Sequence, residues 1–186
     1  MALLFRRIPL FFAMFLFFAP AAEAELPVLG KAPAFKARDM NGEKVSLEGY
    51  LGKGPIVVDF WATWCKPCKK ELPWLQKLHA KYEERGLQMV TVSIDQPKSS
   101  GKVKPYVRGR KYTFPVIMDP TQHVFRKLQG KGSVPYMVII DADGSIRYRH
   151  TGYQPGFEKK LEKMILELLP PEAEPEAEAP DAEVAE

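Results

Sequence analysis

Cysteine is scarce in this chain: Cys65 and Cys68 are the only two among 186 residues. So low a count excludes a small disulfide-stapled scaffold. A tetrahedral zinc site needs four ligands, and the chain has no second cysteine pair. Its three histidines, His79, His123 and His150, are scattered singly, so an intrachain metal site fits poorly and none is expected. Long apolar runs are missing as well. Ile8–Ala19 would form a helix of about 18 Å against a hydrocarbon core of about 30 Å, which excludes a multi-span membrane protein. No internal repeat is present, so solenoids and propellers are excluded. With 46% hydrophobic and 27% charged residues, the chain as a whole is neither disordered nor fibrous, and its length suits one domain.

Averages hide three unlike segments. Six of the eleven phenylalanines lie in the first 18 residues, and seven of the 23 acidic residues lie in the last 17, where no base occurs. Residues 1–24 read as an export signal: Arg6-Arg7, then an apolar stretch, then Ala22-Glu23-Ala24 as a cleavage site. An uncleaved membrane anchor is the alternative. Either way the domain is expected to work outside the cytoplasm, in the periplasm or at the outer face of the cytoplasmic membrane. Residues 170–186 repeat Pro, Glu and Ala without an apolar face and are expected to be a disordered acidic tail. Between them, residues 25–169 hold 25 basic and 15 acidic residues, so the formal charge of +4 describes no real part of the molecule. An exported basic domain without interleaved aromatic and basic residues does not point to nucleic acid. Its lysines solvate the surface or favour acidic partners.

Residues 25–169 alternate short strands with amphipathic helices, the α/β pattern. Ala34–Ala37 and Lys44–Leu47 flank an Asn41-Gly42 hairpin turn. Ile56–Trp61 reads as a central strand covered on both faces. A helix is predicted from about Cys65 to Glu84, bent at Pro73 and closed by Gly86. Strands follow at Leu87–Ile94 and Phe114–Met118, and helices at Val103–Lys111 and Thr121–Leu128. A second hairpin, Tyr136–Asp141 with Ser145–His150, precedes a last helix over Gly156–Leu169.

The two cysteines are spaced C-x-x-C where strand gives way to helix. A four-residue loop constrains too little unfolded-chain entropy for a mainly structural bridge, so the spacing favours a redox pair. Amides at a helix start favour thiolate at Cys65, and Lys66 and Lys69 add cations. Cys68, one turn inward, is then the resolving thiol. Pro67 is tolerated because first-turn amides have no helical partner. No small-molecule cofactor is expected beyond a Cys65–Cys68 disulfide.

From Val58 to Lys69 the string VDFWATWCKPCK resembles the active-site segment of thioredoxin-fold proteins. Extended to WATWCKPCKKELPWL, and taken with the signal and the early hairpin, it is most similar to the TlpA/ResA group of extracytoplasmic thiol–disulfide oxidoreductases. The resemblance spans about Leu29 to Leu168. It implies a thioredoxin-like fold, a central mixed sheet flanked by helices with an extra N-terminal hairpin. It further implies Cys65 as the exposed attacking thiol, Pro135 as a cis-proline facing the disulfide, and Val134 as backbone that pairs with substrate. The implied partners are exported proteins with disulfides, often cytochrome c precursors, and a membrane thiol electron donor.

Two acids stand apart. Asp59 sits mid-strand among apolar residues, matching the buried acid of thioredoxins, and reads either as a proton relay to the inner cysteine or as a structural hydrogen-bond acceptor. Glu71, three residues after Cys68, matches an acid of the ResA branch or is an exposed glutamate paired with a lysine. Having both departs from many family members. Trp64 reads as an exposed partner contact, Trp61 as core, and Tyr136 as either groove or sheet. The rival functions are a disulfide-forming oxidase, a thiol peroxidase (which needs a threonine and an arginine around its cysteine) and a non-enzymatic binder of metal or apo-protein.

Overall fold

The computed structural model describes residues 26–171; the expected export signal and all but the first two residues of the expected acidic tail lie outside them. Seven strands form one mixed sheet: β1 Lys36–Asp39, β2 Lys44–Ser46, β3 Ile56–Trp61, β4 Gln88–Ser93, β5 Val116–Met118, β6 Tyr136–Ile140 and β7 Ile146–Thr151. Their spatial order is β2-β1-β5-β4-β3-β6-β7, with β3, β4 and β5 parallel and the remaining pairs antiparallel. The helices are α1 Lys66–Tyr82, α2 Pro97–Ser100, α3 Val103–Gly109, α4 His123–Lys127 and α5 Phe157–Leu168.

β3 is buried along its whole length, as its apolar run requires. Strand alternation sends Val57, Asp59 and Trp61 to one face and Ile56, Val58 and Phe60 to the other. On the first face α1 and α5 lie together, tied by hydrogen bonds from Lys81 Nζ (2.8 Å) and the Tyr82 hydroxyl (2.6 Å) to Glu162 Oε1. On the second, Phe60, Phe125 of α4 and Tyr136 meet as an aromatic triad with ring centroids 5.2–5.8 Å apart. The Tyr136 hydroxyl donates to the Leu128 carbonyl at 2.7 Å. Tyr136 is therefore a sheet residue that fixes the start of β6, and it does not line a groove.

The first strand of the early hairpin lies two residues later than its sequence suggests, while the second starts at Lys44 as expected. Asp39 accepts the Asn41 and Glu43 amides on Oδ1 at 2.8 and 2.9 Å, so the turn is an Asx-capped one and the strand runs up to Asp39. β1 joins the sheet by pairing with β5, a contact between segments about eighty residues apart. α1 runs unbroken through Pro73 and ends at Tyr82, before Gly86. Gly86 instead forms the turn into β4, with φ +102°, and its backbone packs against the Lys53–Gly54 backbone. The four-residue α2 was not foreseen.

A Cβ on Gly86 would stand 2.6 Å from the Lys53 carbonyl oxygen on top of the unfavourable φ. Gly86→Ala is expected to destabilise the fold by more than about 1 kcal/mol, read as a lowered urea midpoint at unchanged slope.

Candidate active site

The site is built where β3 hands over to α1. Cys65 has extended backbone (φ −80°, ψ 101°) and acts as the N-cap of α1: its Sγ accepts the Cys68 amide at 3.2 Å. An N-cap acceptor is ordinarily a Ser, Thr, Asp or Asn oxygen. Here it is the sulfur, so one amide donor of the first turn, that of Cys68, is spent on the cysteine sulfur. Pro67, also in that turn, removes no helical hydrogen bond. The two cysteines form a disulfide.

The approach to α1 is set by a residue that sequence reasoning missed. Asp95, fully buried just past β4, accepts the Thr63 amide on Oδ2 and the Thr63 hydroxyl on Oδ1, both at 2.7 Å. The Ser93 hydroxyl donates to the same carboxylate at 3.0 Å. Three donors make burial of the charge tolerable and lock the loop two residues before Cys65. Thr63 thereby gives its hydroxyl proton to a hydrogen bond with Asp95. The signal was present in the sequence, an acid directly after an apolar strand, at the carboxyl ends of parallel strands where sites gather.

Opposite the disulfide lies the segment before β6. The Val134–Pro135 peptide is cis, and the Val134 carbonyl oxygen lies 3.6 Å from Cys65 Sγ. The Gly152 amide donates to the Pro135 carbonyl at 2.8 Å, anchoring the segment to the end of β7. Cys65, Cys68, Trp64, Lys66, Pro67, Val134 and Pro135 are thus gathered at one end of the sheet. Their exposure differs from expectation at one point. Cys65 is 4% exposed and Cys68 not at all, so the sulfur expected to be exposed is nearly covered, with the Val134 carbonyl beside it. Trp64 is 60% exposed beside it, and Lys66 and Pro67 are exposed. Trp61 is fully buried, as expected of a core residue.

The two acids lie below. Asp59 is 1% exposed, in register with Thr91 of β4 and Met137 of β6, and neither of its carboxyl oxygens has a hydrogen-bond partner among the described residues. Burial pushes its carboxyl well above the ordinary range, and the neighbouring Glu71 carboxyl adds to the shift. Glu71 is 7% exposed, with Oε2 unpartnered, which overturns the reading of an exposed glutamate paired with lysine. Its pKa is raised to about 7, first by burial and then by Glu158 at the start of α5. No hydrogen bond joins either acid to a cysteine. What the structure brings together is the acids with each other, as a buried pair that cannot carry two charges cheaply.

The pattern of the AhpC/TSA family matches residues 28–149. The chain belongs to the AhpC/TSA family. Within it, the chain is 34% identical over 150 residues to the thiol-disulfide oxidoreductase ResA of Bacillus thuringiensis (strain Al Hakam), covering 80% of this chain and 83% of that protein. Among solved structures it is similar to a Chlorobium tepidum protein provisionally named thiol:disulfide interchange protein DsbE. That match has TM-score 0.67 and 32% identity, and covers 76% of this chain and 97% of the other. A provisionally named protein disulfide isomerase from Bacteroides thetaiotaomicron matches with TM-score 0.69 and 26% identity, over 77% of this chain and 91% of its own. This AhpC/TSA member is a thiol–disulfide oxidoreductase of thioredoxin-like fold, and Cys65–Cys68 is its dithiol pair.

An acid whose folded pKa is raised holds its proton more tightly folded than unfolded. Its contribution is present below the unfolded value and is lost as pH rises through the folded one. For Glu71 that window runs from about 4.5 to about 7. The oxidised protein is expected to lose up to about 3 kcal/mol of unfolding free energy between pH 4.5 and 8 through this group. Glu71→Gln should flatten that slope in urea titrations.

Proposed function

We propose that this oxidoreductase works outside the cytoplasm and reduces disulfides of exported proteins, cytochrome c precursors before haem attachment among them. The observation that carries the reading is the capped Cys65 sulfur, held at the start of α1 and facing the Val134 carbonyl. Once the pair is reduced, the amide that meets the sulfur in the disulfide stabilises a thiolate at Cys65. That thiolate attacks one sulfur of a substrate disulfide, forming a mixed disulfide and expelling the second substrate sulfur as thiolate. The Val134 backbone pairs with the substrate chain strand to strand while the mixed disulfide lasts, and Trp64, Lys66 and Pro67 form the contact rim.

Resolution needs Cys68 to lose a proton in a site closed to water. The Asp59–Glu71 pair takes it, since one of the two carboxyls can ionise near neutral pH while the other stays protonated. The Cys68 thiolate then attacks Cys65 Sγ, restoring the disulfide and releasing the substrate as thiolate, which takes up a proton from solvent. Two electrons have passed from the dithiol to the substrate, with no further cofactor. A membrane thiol donor returns the pair to the reduced state. Among the described residues no helix is long and apolar enough to cross a membrane.

Direction of electron flow is tested by the equilibrium reduction potential against a thiol buffer. The expected value is near or below about −220 mV, the range of reductants; a value of about −120 to −180 mV would instead identify an oxidase or isomerase. For the acids, Asp59→Asn is expected to slow resolution of the mixed disulfide near pH 7 by roughly ten-fold or more, and Glu71→Gln by less. Equal rates for Asp59→Asn and the parent in stopped-flow exchange would remove Asp59 from the relay.

A further inference from the structure

Next to the cysteine pair lies a cleft of about 370 Å³ lined by Thr63, Trp64, Lys69, Ser99, Lys102 and Tyr106. Three of these lie within four residues of Cys65; the other three come from α2, which the sequence had not revealed, from α3, and from the turn between them. Two ammonium groups line the cleft and no carboxylate does. Asp95, which is bonded to the lining residue Thr63, is buried and already holds three donors from Thr63 and Ser93. Lys69 is held in place: its Nζ sits over the Tyr106 ring, 5.3 Å from the centroid. Tyr106 is itself fixed against Trp61 at 5.5 Å and Tyr112 at 6.3 Å, and Arg110 lies 5.8 Å from the same ring. Trp64, next to Cys65 in the chain, supplies an exposed apolar wall.

We propose that this cleft is a substrate subsite that receives an Asp or Glu side chain lying close in sequence to the cysteine under attack. The assignment rests on the reading that Cys65 attacks protein disulfides. Exposed lysines bind a free carboxylate weakly. A carboxylate tethered through the forming mixed disulfide meets them at high effective concentration, so a modest attraction is enough to select among substrates. Lys69 and Lys102 thereby act as specificity residues and take no part in the electron transfer.

The test uses the full chain, reduced and freed of reductant, against pyridyl disulfides of short peptides with a single cysteine. Glutamate is moved through the three positions on each side of that cysteine, and each peptide has a glutamine twin. Release of pyridine thione reports attack. At low salt, glutamate in at least one position is expected to speed attack about three-fold over its twin. Lys102→Glu should reverse that preference, read as the ratio of glutamate to glutamine rates measured within the variant, and high salt should erase it in the parent. Equal rates for glutamate and glutamine peptides at every position would overturn the subsite and leave the proposed function standing. A preference that survives both Lys102→Glu and high salt would place acid recognition elsewhere and overturn this cleft. No thione release from any peptide would overturn the reading of Cys65 as attacking thiol, and the subsite with it.

Discussion

Cys65 is at once the N-cap of α1 and half of the redox pair, and the reactive end of the molecule is arranged around that double role. A helix start always presents unpaired amides. When the cap is a sulfur, those amides stabilise the charged form of the nucleophile with no added group. The arrangement requires the backbone to be extended at Cys65 and helical from Lys66. The Asp95 clasp on Thr63 and the hydrogen bond from the Cys65 amide to Ala62 hold it there.

Beneath the sulfur layer the constraint is electrostatic. A buried carboxyl without a hydrogen-bond partner is expensive when ionised, and Asp59 on β3 has a second buried carboxyl, Glu71 on α1, as its neighbour. Such a pair favours its protonated forms and titrates as a unit nearer to neutrality than free acids do. This is the range in which a thiol must gain or lose its proton. Fold stability and proton handling are therefore linked: the burial that suits Asp59 and Glu71 to the relay proposed for them also makes the folded state less stable as pH rises.

Access is divided unevenly over the site. The cysteines are covered, while Trp64, Lys66 and Pro67 stand out and the Val134 segment closes the opposite side. The aromatic triad of Phe60, Phe125 and Tyr136 holds the Val134–Pro135 segment from behind, so the two walls keep a set spacing.

Much was legible in the residue order because it is local. The C-x-x-C spacing, the apolar run of β3, the Asn-Gly turn and the amphipathic helices each depend on neighbours within a few residues, and these determined the element types, the fold class and the positions of Cys65, Cys68 and Pro67. Element ends were less legible: the Asx turn at Asp39 and the backbone packing of Gly86 on Lys53 moved them by two to three residues. Other features depend on contacts between distant segments and came only with the tertiary structure. Glu71 could have been a solvated glutamate until α5 packed beside α1 and buried it. Asp95 became a clasp because β4 lies parallel to β3 in a register that sets Thr63 in front of it. The joining of β1 to β5 and the cleft formed by α2 and α3 against Trp64 have the same origin. A sequence reports the propensity of each segment, but burial and charge–charge proximity are properties of the packed chain, and at this site they decide which groups hold protons and which face a partner.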